Sequence, residues 1–433
     1  MPGPTNTLLI EGSFEELADE LAHYLDEVKR KDSDAQTTIQ TDIAPLLEQN
    51  QKDEVLKKLV TGGAVLNSAP EKEFIAAYNL LVHLVRQSSN PNMFLPKICQ
   101  NLSAPITSSK SNGPGLALSV LTTIFNILPQ DNDVRYHVFL AILRVVRASG
   151  SFELLRPQLK NLDSWILQWE TDEEDQRKLY LSIADVAEEA GEEEQTYLYL
   201  LRALRTIPSD EASNEGARKL STRALKSALS RPMHFDFQDL TSLDSIQALR
   251  KSEPVYYELL EIFNAQVLDD YNDFKDEHDG WVEEQGLDDS LLVRKIRLLT
   301  LASIAATSQT RSLPYQHITR ALQIPSEDVE VWVIDVIRAG LVEGKLSQLN
   351  QTFLIHRSTY RVFGEKQWTE VQGRLDTWRA SLEGVLGVVR AEREKMLREK
   401  ERELREVEGR VNGGGGMSAG RRGREIDVGP LVD

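Results

Sequence analysis

The sequence predicts a mostly all-α chain: a TPR-like or HEAT-like helical-repeat solenoid running into a winged helix with a small β-ribbon, then a long C-terminal helix. Three observations predict it. Apolar residues recur at helical spacing over most of the 433 residues. The stretch "DQRKLYLSIADVAEEAGEEEQTYLYLLRALRTIP", Asp175 to Pro208, has the length and the turn of a tetratricopeptide-type hairpin. Further on, "DVEVWVIDVIRAGLVEGKLSQLNQTFLIHR", Asp328 to Arg357, passes from a helix through a Gly turn into two alternating runs, as a winged helix does.

The elements follow in order. After an N-terminal extension over 1–12, helical repeats are expected over 13–208. "SFEELADELAHYLDEVKR" sets Leu17, Leu21, Tyr24, Leu25 and Val28 on one stripe, and Ser13 with Glu16 makes a capping box. "EKEFIAAYNLLVHLVRQ" does the same with Phe74, Tyr78, Leu81 and Val85. The Ser/Gly/Pro-rich "SAPITSSKSNGPG", 103–115, reads as a mobile loop. "PGLALSVLTTIFNILP" and "DVRYHVFLAILRVVRASG" pair across Pro129 to Asp133, and the first is apolar nearly all round, which suits packing on both sides. In the hairpin, Ala184 and Ala187 permit close approach, Gly191 turns, and Tyr197, Leu200, Leu201 and Leu204 face back. Its acidic "EEAGEEE", Glu188 to Glu194, is read as a solvated tip rather than a docking patch. Further helices carry the chain over 209–290.

The winged helix is expected over 291–365. "SLLVRKIRLLTLASIAATS" is its first helix, with Leu292, Ile296, Leu299 and Ile304 along one stripe, and "PYQHITRALQI", opened by Pro314, is its second. The third follows Pro325, with Ser326 as N-cap and Glu327 and Asp328 in the first turn, where the helix dipole favours acids. It buries Val329, Trp332, Val333, Val336 and Ile337 and stops at Gly340. "GKLSQL" and "QTFLIHR" form a two-stranded ribbon turning near Asn350. The exposed side of the third helix offers Glu327, Asp328, Glu330 and Asp335 against Arg338, the wrong sign for a groove lined by phosphates. Val331 and Ile334 lie off the buried stripe. Docking of protein is the expected use, and the ribbon edge suits strand addition by a similar module.

Beyond the ribbon, a coiled-coil-type helix is expected over 366–410. Trp368, Val371, Leu375, Trp378, Leu382, Val385 and Val389 follow alternating steps of three and four, a seam of about three heptads. Past Arg390 the seam fades into mixed Glu, Arg and Lys of a solvent-exposed helix. A disordered Gly/Arg tail is expected over 411–433, its "GRRGR" solvated rather than bound to RNA.

Composition narrows the function classes. With 41% hydrophobic and 27% charged residues the chain is packed rather than disordered. Acids outnumber bases 68 to 50, a net charge of −18, which makes it a poor generic binder of phosphate backbones. The single cysteine, Cys99, excludes an internal disulfide framework, and its apolar setting marks a core residue, not a nucleophile. No signal peptide is expected from "MPGPTNTLLIEGSFEEL", and no apolar run reaches membrane-spanning length. There is no GxxxxGK[ST], no GxGxxG after a strand, no HExxH and no His-x-His pair. "DDYNDFKDEHDG" misses the EF-hand ligand positions, and His83 and His137 are read as core histidines. No catalytic, metal or cofactor residue is expected, and no enzyme.

Helical repeats, a winged helix and a C-terminal helix together resemble the PCI module. "KIRLLTLASIA" (Lys295 to Ala305), "DVEVWVIDVIRAGLVEGKLSQ" (Asp328 to Gln348) and "HRSTYRVFGEKQW" (His356 to Trp368) resemble the subunit M family of translation initiation factor 3. "LLIEGSFEEL" and the helices up to Pro208 fit it more weakly, and Ser347 stands where the ribbon usually carries an acidic residue before Gln348. The resemblance implies a PCI domain over 209–376 and a non-catalytic, cytoplasmic scaffold subunit. It implies docking of the wing beside another PCI protein, the large A subunit of the factor, and a helical bundle shared with MPN subunits F and H. The small ribosomal subunit would be reached through the complex and mRNA indirectly, with no membrane partner and no small-molecule substrate. The residues expected to bind partners are Leu346, Gln348, Phe353 and Ile355 on the ribbon and Leu382, Leu386 and Val389 on the helix. Three alternatives stand beside this reading. One is the small PCI subunit of the signalosome, against which Phe363, Gly364, Gln367 and Trp368 weigh; the second is a winged-helix nucleic-acid binder, and the third an enzyme whose site carries no recognisable motif.

Overall fold

The computed structural model describes residues 12–32, 38–109, 111–308, 310–361 and 364–413. The N-terminal extension as far as residue 11, the "GRRGR" tail and Phe363 lie outside them. The chain forms two compact units, one up to Arg361 and one from Val362.

Between Phe14 and Thr307 the described residues of the first unit form helices joined by short connections. Its first helix, Phe14–Asp32, opens with the expected capping box: the Glu16 amide donates to Ser13 Oγ at 3.3 Å and the Ser13 amide donates to the Glu16 carboxylate at 3.1 Å. Leu17, Leu21, Leu25 and Val28 are buried, while half-buried Tyr24 donates its hydroxyl to Glu73 on the Glu71–Val85 helix. The repeat hairpin consists of Glu173–Glu189 and Glu193–Arg205. Ala184 and Ala187 are fully buried between the two, and Gly191 turns the chain at φ +75°, a left-handed value that favours glycine.

Several expectations are corrected here. The acidic tip of the hairpin is not merely solvated: Glu188 accepts from Arg223, Glu189 from Arg147 at 2.9 Å and Glu192 from Arg156 at 2.8 Å, so three neighbouring helices brace it. Exposed pairs of this kind are screened by solvent, so together they set position more than stability. Several of the described residues of the segment 103–115 are tied down. Ile106 and Ser109 are buried, the Thr107 amide and hydroxyl both donate to the Asn67 carbonyl, and the Gly113–Ile127 helix begins within the segment. His137 is exposed, on the solvent stripe between buried Tyr136 and Val138, and His83 is half-buried beside the Gln87 amide at 3.0 Å. Cys99 is buried, and burial pushes its thiol up to about 12.

Two hydrophobic cores meet on one helix. The Asp289–Thr307 helix gives Leu292, Ile296 and Leu299 to the large core that begins at Phe14. It gives Leu298, Leu301, Ala302 and Ala305 to a smaller core that continues to Ile355. Ile304 packs on the second core, so the stripe expected to run through Ile304 divides in two.

Two cations, one buried and one half-buried, reinforce this junction. Lys295, only 2% exposed, donates to the carbonyls of Ala228 (2.7 Å), Leu229 (3.1 Å) and Arg231 (2.8 Å). These close the C-terminal end of the Glu215–Ser230 helix, whose last carbonyls would otherwise lack donors. Arg361 does the same for Pro254–Ala265, donating to Ile262 (3.0 Å), Phe263 (2.7 Å) and Gln266 (2.6 Å). Burial pulls Lys295 down to about 7 and Arg361 down to about 10.

His234 stands between the rings of Tyr197 (4.6 Å) and Phe237 (5.2 Å), and burial, with Lys295 and Arg231 nearby, lowers it to about 4. Between pH 6.5 and 4 the unfolded chain binds a proton there that the folded chain does not, so stability falls as pH drops through that window. His234→Phe should remove about 1 kcal/mol of that acid loss, read as a flatter profile of urea midpoint against pH; an unchanged slope would discount His234.

Candidate protein-docking surfaces

The smaller core carries a winged helix. Between Ser312 and Ser358 stand β1 (Ser312–Pro314), the Tyr315–Leu322 helix, a 3-10 turn at Ser326–Asp328, the Val329–Arg338 helix, β2 (Val342–Ser347) and β3 (Thr352–Ser358). The sheet has three strands, not two, in the order β1-β3-β2, all antiparallel. Three residues give too short an alternation for β1 to be seen locally; its pairing with β3 comes from buried Leu313 packing in the core. Ser326 makes no side-chain cap, because the 3-10 turn precedes the third helix.

A β-bulge lies between Glu343 and Gly344. At Gly344 the backbone approaches β3 so closely that a Cβ would strike the Leu354 carbonyl oxygen and the Phe353 ring. Gly344→Ala should therefore destabilise the winged helix by about 2 kcal/mol, read as weakened amide-exchange protection in β2 and β3; unchanged protection would show that the ribbon can yield.

On the third helix Val329, Val333 and Val336 are buried, whereas Trp332 and Ile337 are only partly so. The Arg297 guanidinium covers Trp332, 5.4 Å from the ring centre. Two of its four acids serve the module itself. Glu330 accepts from Tyr315 (3.2 Å) and Gln348 (2.9 Å), and Asp335 accepts from Arg294 at 2.8 Å. The free acid excess is thus Glu327 and Asp328, smaller than the sequence count. What the face offers a partner is apolar: Val331 is 58% and Ile334 41% exposed.

The expected binding residues fall into three groups. Phe353 (0% exposed) and Ile355 (6%) are interior to the module, where they hold β3 in place. Leu346 is partly buried against the same core, and Gln348 is exposed in the turn after β2, bonded to Glu330. Leu382, Leu386 and Val389 belong to the second unit.

The described residues of that unit form a single helix, Glu365–Gly413, roughly 70 Å long at 1.5 Å per residue. Its seam is open: Trp368, Leu375, Trp378, Leu382, Val385 and Val389 are each about half exposed or more. The part beyond Arg390 carries pairs such as Arg398 with Glu394 at 3.5 Å. Among the described residues, no helix is long and apolar enough to cross a membrane.

A helical array sharing one helix with a winged helix defines a PCI-domain protein, and a PCI domain is matched over residues 275–357. A second match, described as eIF3 subunit M, C-terminal helix, covers residues 361–389 and so ends where the seam ends. Eukaryotic translation initiation factor 3 subunit M of Phaeosphaeria nodorum is 66% identical over 425 residues, covering 97% of this chain and 96% of its own. The subunits M of Aspergillus clavatus and Coccidioides immitis are 56% and 54% identical over 92% of this chain and 88% and 91% of their own. The chain belongs to the subunit M family of eukaryotic translation initiation factor 3.

Proposed function

We propose that the chain is a non-catalytic scaffold subunit that takes its place in translation initiation factor 3 through its winged helix and its C-terminal seam. The observation that carries this is the open heptad seam from Trp368 to Val389. A lone helix does not retain half-exposed Trp, Leu and Val in register unless other helices cover them. The apolar Val331 and Ile334 of the winged helix, with Leu346 and Gln348 at the ribbon, supply the second surface. Phe353 and Ile355 act from within by shaping it. The large A subunit, itself a PCI protein, at the wing and MPN subunits F and H at the helix are the partners this reading favours. The assembled, cytoplasmic factor would bring the chain to mRNA and to the small ribosomal subunit.

Affinity purification of the tagged chain from cytoplasm, followed by mass spectrometry, tests the reading. The other initiation factor 3 subunits and small-ribosomal-subunit proteins should be recovered. Recovery of signalosome subunits in their place would retire it, and salt-sensitive RNA binding by the isolated chain would favour the nucleic-acid alternative.

A further inference from the structure

A cleft of about 710 Å³ lies between the Gly113–Ile127 and Val134–Ser149 helices on one side and the short Phe152–Leu159 and Leu162–Gln168 helices on the other. Its floor is aromatic. Phe125 lies 5.1 Å from Trp165 and 6.4 Å from Phe139, centre to centre. Trp165 is only half-buried, and Leu154 at the rim is 66% exposed. No carboxylate lines the cleft, in a chain with 68 acids, whereas other clefts carry Glu193, Asp53 or Glu394. Its one cation, Arg135, is 7% exposed and turned inward, donating twice to the Phe125 carbonyl, at 3.1 and 2.9 Å. Five carboxamides complete the lining: Asn126, Gln130, Gln158, Asn161 and Gln168.

We propose that this cleft docks an extended, uncharged segment of a neighbouring polypeptide, with apolar side chains over Phe125 and Trp165 and the main chain held by the carboxamides. A carboxamide offers both a donor and an acceptor. An extended backbone carries one of each per residue in need of partners, whereas a helix has already satisfied its own. Five free carboxamides therefore fit a strand-like occupant. A nucleic acid strand would stack on the same rings but needs accessible cations along its phosphates, and the single cation here is buried. With neither carboxylate nor free cation, the cleft complements a neutral segment. The docking rests on the proposed membership of a complex, since the occupant is sought among fellow subunits.

The test places the photoreactive residue p-benzoylphenylalanine at position 154 in the factor purified intact from cells, irradiates it and maps the cross-links by mass spectrometry. The expected result is convergence on one contiguous non-helical stretch of another subunit, free of charged residues. Gln158→Glu with Gln168→Glu, both exposed, should cut the yield about tenfold without changing the subunit composition. Cross-links to RNA, to a helical segment, to scattered sites or to nothing, in a factor whose subunits all co-purify, would overturn the assignment of the cleft. Loss of co-purification in the unirradiated protein would instead overturn the proposed function, so the two failures are told apart.

Discussion

Leu382→Asp combined with Val389→Asp should release the chain from its complex while the unit up to Arg361 stays folded. Both positions lie on the open seam, at 49% and 57% exposure, so neither substitution disturbs a core within the chain. In a bundle each would replace a buried aliphatic contact of about 2 kcal/mol by a carboxylate that must be desolvated. Together that is at least about 4 kcal/mol, a thousandfold in affinity. Co-purification is the readout, with circular dichroism to confirm the fold. Retention of the variant at wild-type yield would mean that the seam is not the anchor. Leu386→Asp, at 51% exposure on the same helix, should act in the same direction.

Lys295→Met should lower the free energy of unfolding by about 2–3 kcal/mol. Methionine keeps the apolar stem but leaves the carbonyls of Ala228, Leu229 and Arg231 without their donor. Relief from burying an ammonium offsets part of this, and the loss of donors wins, three from the ammonium and two from the neutral amine. The offset depends on pH. With the folded group at about 7 and the unfolded one at its ordinary value near 10.5, the unfolded chain holds a proton in that interval that the folded chain has released. Wild-type stability therefore rises from pH 7 towards pH 10, and the deficit of the variant widens over the same range. Urea unfolding at pH 7 and pH 9 measures both effects; an unchanged midpoint at both would show that water replaces the ammonium.

Much of the fold was legible because helical spacing is a local property. The capping box at Ser13 and Glu16, the Gly191 turn and the buried faces of the hairpin follow from residues three and four apart. What escaped was set by distant packing. The strand Ser312–Pro314 exists only because β3 lies beside it. Thr107 sits in a composition typical of loops, yet Asn67, some forty residues away, holds it. The acidic tip looked solvated because its arginines come from three other helices. Lys295 did leave a signal: it stands at the third step of the stripe Leu292, Ile296 and Leu299, where a charge calls for a buried partner. For the docking surfaces, the apolar exposure of Val331 and Ile334 and the heptad seam could be read directly. The interior placement of Phe353 and Ile355 could not, because alternation along a strand does not tell which face is covered.

Because the Asp289–Thr307 helix walls both cores, there is no place within it at which the chain could be divided without stripping one side of each. Heating should accordingly melt the array and the wing in a single cooperative step, and a fragment beginning after Thr307 should aggregate rather than fold.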